Sequence, residues 1–124
     1  MTYLDTNAVI FLHTGGKKLS QKARLQIDMD DVIVSSMVLL ELEMLREKGV
    51  LKIGAEAMVG DLAQSVGLSV CQLPMSRIIQ HSLSLGWTRD PGDRLIVANA
   101  IAANESPLVS SDRMIKEHYR NTIW

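Results

Sequence analysis

Short apolar runs alternate with longer segments along this chain, and most of these runs end beside a polar residue that can cap a helix. The pattern predicts strands at residues 2–5, 32–34, 68–73, 107–110 and 122–124. It predicts helices at about 7–13, 21–28, 37–48, 75–85, 91–104 and 112–119, with one more between Gly54 and Gly67. Strands that alternate with helices favour an α/β fold, in which helices cover both faces of a mostly parallel sheet.

Four acidic residues that are far apart in the chain stand near predicted strand ends and helix starts. In folds of this class, ligands bind outside the carboxyl ends of the strands, so acids from distant segments can meet in one crevice. Clustered carboxylates repel one another unless a cation holds them, and an all-oxygen pocket suits a hard cation such as Mg²⁺. The four residues are Asp5, Glu41, Asp93 and Asp112.

Two of these acids have an alternative role as helix caps. Asp5 could join the first strand to the first helix, but Thr6 or Asn7 can cap that helix equally well, which leaves Asp5 free. Asp112 could simply start the last helix. The functional interpretation places Asp112 in the crevice, with the Ser110 hydroxyl able to donate to a carboxylate or a phosphate.

Asp93 also has a structural alternative. Asp90 as N-cap, Pro91 at the first helical position and Asp93 three residues after the cap form a variant capping box. This pattern accounts for an acid at each position but does not place either acid beside Asp5. We therefore interpret Asp90 as a cap first and as a supporting residue of a site second.

Glu41 interrupts an apolar face of its predicted helix. A carboxylate among core side chains costs several kcal/mol unless it is paired or bound to a metal. Glu41 therefore belongs to a functional site or pairs with an arginine such as Arg94 or Arg77. Its neighbours three and four positions away are Met37, Val38, Met44 and Leu45.

Bulk composition bounds the class of protein. The 124 residues fit one domain, spanning residues 1–124, and the single cysteine fits a reducing compartment. Neither a signal peptide nor an apolar stretch long enough to span a membrane is visible, so we expect a cytoplasmic protein. A net charge of −1 and 4% aromatic residues do not by themselves indicate a nucleic-acid binder. Basic residues at 17–24 could form a rim near the first acid.

Four segments, in this order and spacing, resemble the PIN domain, specifically the VapC-type toxins of toxin–antitoxin pairs. The third segment, with its Asp-Pro-x-Asp-Arg sequence, is the most specific when joined to the others, and together they cover essentially the whole chain. The segments are Tyr3-Leu4-Asp5-Thr6-Asn7, Ser36-Met37-Val38-Leu39-Leu40-Glu41-Leu42, Arg89-Asp90-Pro91-Gly92-Asp93-Arg94-Leu95-Ile96 and Leu108-Val109-Ser110-Ser111-Asp112.

The resemblance implies a three-layer α/β/α fold and an endoribonuclease that depends on Mg²⁺ or Mn²⁺. It also implies a homodimer that is inhibited by a small antitoxin protein. The implied catalytic residues are Asp5, Glu41, Asp93 and Asp112, with Thr6, Asn7 and Ser110 in support.

Within this scheme Asp5, Asp93 and Asp112 hold the metal, and Glu41 orients or deprotonates the attacking water. Two positions depart from the family pattern: Gly92 stands where an aromatic residue is common, and Ser110 where threonine is common.

Three other functions remain open at this point. A haloacid-dehalogenase-like phosphatase also begins with a strand and an aspartate, but it needs a second aspartate where this chain has Asn7. A housekeeping RNA-processing nuclease would have the same acids without an antitoxin. A degenerate PIN module would bind RNA or protein without catalysis, and the intact set of four acids argues against it.

Overall fold

Five parallel strands form the middle layer of a three-layer α/β/α architecture, and seven helices cover it. The computed structural model describes all 124 residues. No helix combines the length and the apolar character needed to cross a membrane. In chain order the elements are β1 (Thr2–Leu4), α1 (Thr6–His13), α2 (Gln21–Met29), β2 (Val32–Val34), α3 (Ser36–Glu47), α4 (Ala55–Val66), β3 (Ser69–Val70), α5 (Met75–Ser82), α6 (Pro91–Ala102), β4 (Leu108–Val109), α7 (Arg113–His118) and β5 (Thr122–Ile123).

The strand order in the sheet is β3-β2-β1-β4-β5, with every neighbouring pair parallel. The chain therefore builds the sheet outwards from β1 in one direction and then crosses to its other side with β4. In open α/β sheets, the crevice at such a reversal is where ligands bind. The predicted fold class is confirmed, and the reversal lies between the strands that precede Asp5 and Asp112.

The central strands are short but buried throughout. Leu4, Val34 and Leu108 have no exposed surface, because helices cover both faces of the sheet. This burial explains why these strands are continuous apolar runs rather than alternating ones. The core therefore fixes the positions at which the strands end.

Most predicted bounds agree with the structure within one residue, but β3 is shorter than the predicted strand at 68–73. The Cys71 amide still donates to the Val34 carbonyl at 2.8 Å. The Leu73 amide then turns to the Cys71 sulfur, at 3.4 Å, and Pro74 has no amide hydrogen to donate. The prediction of a strand at this sheet edge was correct, but the strand is shorter than predicted and burial does not alternate along it: Leu68 and Cys71 are buried, and Ser69 and Gln72 are exposed.

Two helices also end earlier than predicted. Helix α6 stops at Ala102 rather than at residue 104, because Asn104 and Glu105 adopt left-handed backbone conformations with φ of 61° and 54°. Helix α5 stops at Ser82 rather than at residue 85.

The early end of α5 reflects an anchor formed by Arg94. Its guanidinium group donates to the carbonyls of Ser82 at 2.8 Å, Thr88 at 3.1 Å and Leu83 at 3.4 Å. Three donors of one planar fork thus hold the end of α5 and the loop that leads into α6. The arginine next to Asp93 is therefore structural, and it fixes the start of the helix that carries this acid.

We predict that Arg94→Ala lowers the free energy of unfolding by about 1–3 kcal/mol, because it leaves several partly buried carbonyls without donors. Arg89→Ala is the matched control, since Arg89 is exposed and bonds to no other residue. Urea denaturation of both variants measures the difference. Equal stability of the two variants would contradict the anchoring role.

Candidate active site

A pocket of about 220 Å³ opens at the carboxyl ends of β1 and β4 and contains all four predicted acids. Chain segments that are far apart in sequence supply them, as the parallel sheet predicted. The ten lining residues are Asp5, Thr6, Asn7, Glu41, Met44, Leu45, Lys48, Asp93, Ile96 and Asp112.

Asp5 is the most deeply buried of the four acids, with 7% of its surface exposed. Burial, together with the weaker effect of the charges of Asp112 and Glu41, raises the pKa of Asp5 to about 6, against hydrogen bonds from Ser110 and the Ala8 amide that lower it. The shift shows that the negative charge of this group is poorly compensated. A carboxylate in this state is a good partner for a cation.

Asp5 also caps α1, which corrects the expectation that Thr6 or Asn7 would do so. Its Oδ1 accepts a hydrogen bond from the Ala8 amide at 2.8 Å, and Thr6 is the first residue of the helix. The cap uses one carboxylate oxygen, so capping and a role in the pocket are compatible. Asp5 can therefore line the pocket although it also caps α1, and no other residue has to provide the cap.

Asp112 has the same double arrangement at the start of α7. Its Oδ1 accepts from the Ile115 amide at 3.0 Å, so Asp112 itself is the cap. The Asp112 amide donates to the Ser110 hydroxyl oxygen at 3.1 Å, and Ser110 is fully buried beneath the pocket. Ser110 thus orders the short loop between β4 and α7 that carries Asp112.

Asp93 is half-buried in the first turn of α6 and is not engaged in capping. Asp90 caps this helix by accepting from the Gly92 amide at 2.9 Å, while the Asp90 amide donates to Thr88 at 3.1 Å and not to Asp93. The reciprocal bond of the predicted capping box is therefore absent. Burial, followed by the neighbouring charges of Asp90, Asp112, Glu41 and Asp5, raises the pKa of Asp93 to about 6.

Glu41 is half-buried at the pocket wall and does not lie in the core. The Thr6 hydroxyl donates a hydrogen bond to its Oε1. The alternative ion pair with an arginine is wrong, because Arg94 binds backbone carbonyls and Arg77 lines a different pocket beside Cys71. Glu41 therefore faces the other acids without a cationic partner.

Lys48 is the only basic residue in the pocket lining, and the sequence analysis missed it. It follows Glu41 by seven residues, two helical turns along the same face, which was the available signal. No residue of the basic segment at 17–24 lines this pocket. Arg24 lines a separate pocket with Leu12 and Gly16, beyond the far end of α1.

The chemistry of the pocket suits a hard cation. Its carboxylate, hydroxyl and amide oxygens are the ligand types that Mg²⁺ and Mn²⁺ prefer. As they stand, the acidic, histidine and cysteine side chains form no group of three or more close enough together to hold a metal ion. Mg²⁺ keeps several water ligands and is commonly held by one or two carboxylates. The donor set therefore fits Mg²⁺ or Mn²⁺.

Comparison with known families assigns the fold. The model of the PIN domain matches residues 2–121, so the chain belongs to the PIN domain family. PIN domains are generally nucleases. No curated protein matches the sequence.

Solved structures agree with this family over almost the whole chain. The complex of VapBC2 from Rickettsia felis with a promoter DNA fragment contains a chain 22% identical, with a TM-score of 0.67, covering 98% of this chain and 96% of that one. A chain of a Klebsiella pneumoniae toxin–antitoxin complex is 15% identical, with a TM-score of 0.67, and the match covers 100% of this chain and 97% of that one. A chain of DNA-bound VapBC from Salmonella typhimurium is 20% identical, with a TM-score of 0.62, and the match covers 98% of this chain and 93% of that one. At these identities the likeness establishes the fold.

We predict that Asp5→Asn stabilises the metal-free protein at pH 7.5 by about 1–3 kcal/mol. The folded-state pKa of Asp5, about 6, lies above the ordinary value of 3.8, so its contribution to stability is complete below pH 3.8 and is lost as the pH rises through 6. Asparagine removes this loss and still caps α1.

Denaturation in EDTA between pH 4 and pH 8 measures this effect. The fall in stability across that interval should be smaller for Asp5→Asn than for the wild type. Asp31→Asn, a change of an exposed acid outside the pocket, should leave the fall unchanged. If Asp5→Asn instead lowered the free energy of unfolding at pH 7.5, the ionised Asp5 carboxylate would not destabilise the metal-free fold.

Proposed function

We propose that this chain is a Mg²⁺- or Mn²⁺-dependent endoribonuclease, acting as a single domain over residues 1–124, and the toxin of a VapBC-type pair. The observation that carries the proposal is the convergence of four acids from distant segments on one pocket at the strand ends. Membership of a family that is generally nucleolytic supports it. Hydrolysis of an RNA phosphodiester is the reaction for which this arrangement is suited.

Asp5, Asp93 and Asp112 are the proposed metal ligands. A bound Mg²⁺ or Mn²⁺ ion supplies charge neutralisation at the phosphate and a lowered pKa for water. Glu41 is the proposed group that orients the attacking water or removes its proton, because it lines the pocket from α3 and has no cationic partner. The reaction then needs no protein nucleophile.

Four further residues support this set. Thr6 fixes the Glu41 carboxylate through its hydroxyl hydrogen bond. Asn7 is exposed at the pocket and offers an amide to the substrate. Asp90 and Ser110 order the backbone that presents the acids of α6 and of the β4–α7 loop.

We further propose a small antitoxin protein as the partner, a homodimer as the assembly and the cytoplasm as the location. The structural likeness to chains from VapBC and other toxin–antitoxin complexes supports the partner. A shared promoter with an upstream reading frame of antitoxin size would distinguish a toxin from an RNA-processing enzyme.

We predict that the wild-type protein cleaves single-stranded RNA in Mn²⁺ or Mg²⁺ and not in EDTA. Asp5→Asn and Asp93→Asn should each lower kcat by roughly 100-fold or more, because each removes a charge that the reaction requires. Asp31→Asn serves as the control. Since Asp5→Asn is expected to stabilise the fold, lost activity in that variant cannot come from unfolding. Full activity in both pocket variants would show that the centre is elsewhere.

We also predict that Lys48 contacts a phosphate of the RNA. It is exposed at the pocket and forms no ion pair within the chain. Lys48→Ala should raise KM and reduce the slope of log affinity against log salt by about 0.7, the contribution of one phosphate contact on a single strand. Lys52→Ala, an exposed change outside the pocket, is the control. Identical salt slopes for the two variants would remove Lys48 from the binding surface.

A further inference from the structure

Gly92 is buried at the second position of α6, where its backbone conformation does not require glycine. The chain's glycines with positive φ are Gly15, Gly16, Gly49 and Gly67, so an alanine at position 92 would meet no backbone strain. Glycine in a helix also forgoes helix propensity. The reason for a glycine here therefore lies in its surroundings.

The space beside Gly92 is filled by two carboxylates. A Cβ atom at this position would overlap Oε2 of Glu41, would lie 2.9 Å from the Glu41 carboxyl carbon and 3.2 Å from Oδ1 of Asp90. Apart from the backbone of the helix itself and the two adjacent residues, no atom comes as near to it. The missing side chain thus makes room for an acid, and not for the close packing of another helix.

The Glu41 carboxylate is consequently held from two sides. Thr6, the first residue of α1, donates to Oε1, and Gly92, in the first turn of α6, lies against Oε2. Both contacts come from helix N-termini, where the helix dipole favours negative charge. A side chain at position 92 would push the carboxylate out of this gap.

We propose that Gly92 is a positioning residue, which sets where the Glu41 carboxylate stands in the pocket. The consequence for catalysis rests on the endoribonuclease function proposed above. The steric coupling between Gly92 and Glu41 is independent of that function, because it follows from the distances alone.

A stability cycle tests the coupling without reference to any substrate. Gly92→Ala is measured in the wild type and in a Glu41→Ala background, by urea denaturation in EDTA. In the wild type the overlap with Glu41 should cancel or reverse the gain in helix propensity. In the Glu41→Ala background the same change should stabilise the protein. Gly60→Ala, in a helix where a Cβ meets nothing within 4 Å, should stabilise both backgrounds equally.

An activity cycle tests the positioning role. Gly92→Ala should lower kcat for RNA by about tenfold to a hundredfold with little change in KM, as expected when a reacting group is displaced by about 1 Å. In the Glu41→Asp background the shorter side chain leaves room for the added methyl group, so Gly92→Ala should cost little more than Glu41→Asp alone.

The outcomes separate the two proposals. If Gly92→Ala changes stability equally in both backgrounds, the positioning role is overturned whatever the activity. If the cycle shows coupling but the wild type cleaves no RNA, the positioning of Glu41 stands and the proposed function fails. If cleavage is present and Gly92→Ala retains full kcat, Gly92 does not position Glu41 for the reaction and the endoribonuclease assignment is unaffected.

Discussion

The parallel pairing of β1 with β4 is the interaction on which the rest of this molecule depends. Tyr3 is in register with Leu108 and Leu4 with Val109, and the Asp5 amide donates to the Val109 carbonyl at 3.1 Å. These bonds join two ends of the chain and bring the residues after both strands to one edge of the sheet. Without them, Asp5 and Asp112 would remain ordinary helix caps on separate segments.

The pocket that results is a source of instability that the buried core must offset. Asp5 and Asp93 both have a pKa of about 6, because burial and the other acids oppose their ionisation. Such unfavourable charge is common at functional sites, where selection retains groups that lower the stability of the fold. The hydrogen bonds from Ser110 and from the Ala8 amide to Asp5 limit this cost without removing it.

The sequence was sufficient for the fold class, the approximate positions of the strands, the helix starts and the four acids, because these follow from local pattern, capping chemistry and a family resemblance. It was misleading where a cap and a site were treated as alternatives, since Asp5 and Asp112 each use one oxygen for a helix and still line the pocket. Lys48 could have been found from its spacing of seven residues from Glu41. The space at Gly92 depends on how α3 meets α6, and such a contact between distant helices has no local signature.

The order of the elements along the chain has a consequence for synthesis. Asp5, Glu41 and Asp93 all leave the ribosome before β4, the strand that pairs with β1 and leads to Asp112. A nascent chain can therefore contain three of the acids while the edge of β1 that will receive β4 is still unpaired. The pocket can be completed only after β4 and Asp112 have been synthesised, so a cell that makes this protein is exposed to a complete site only after these elements have emerged.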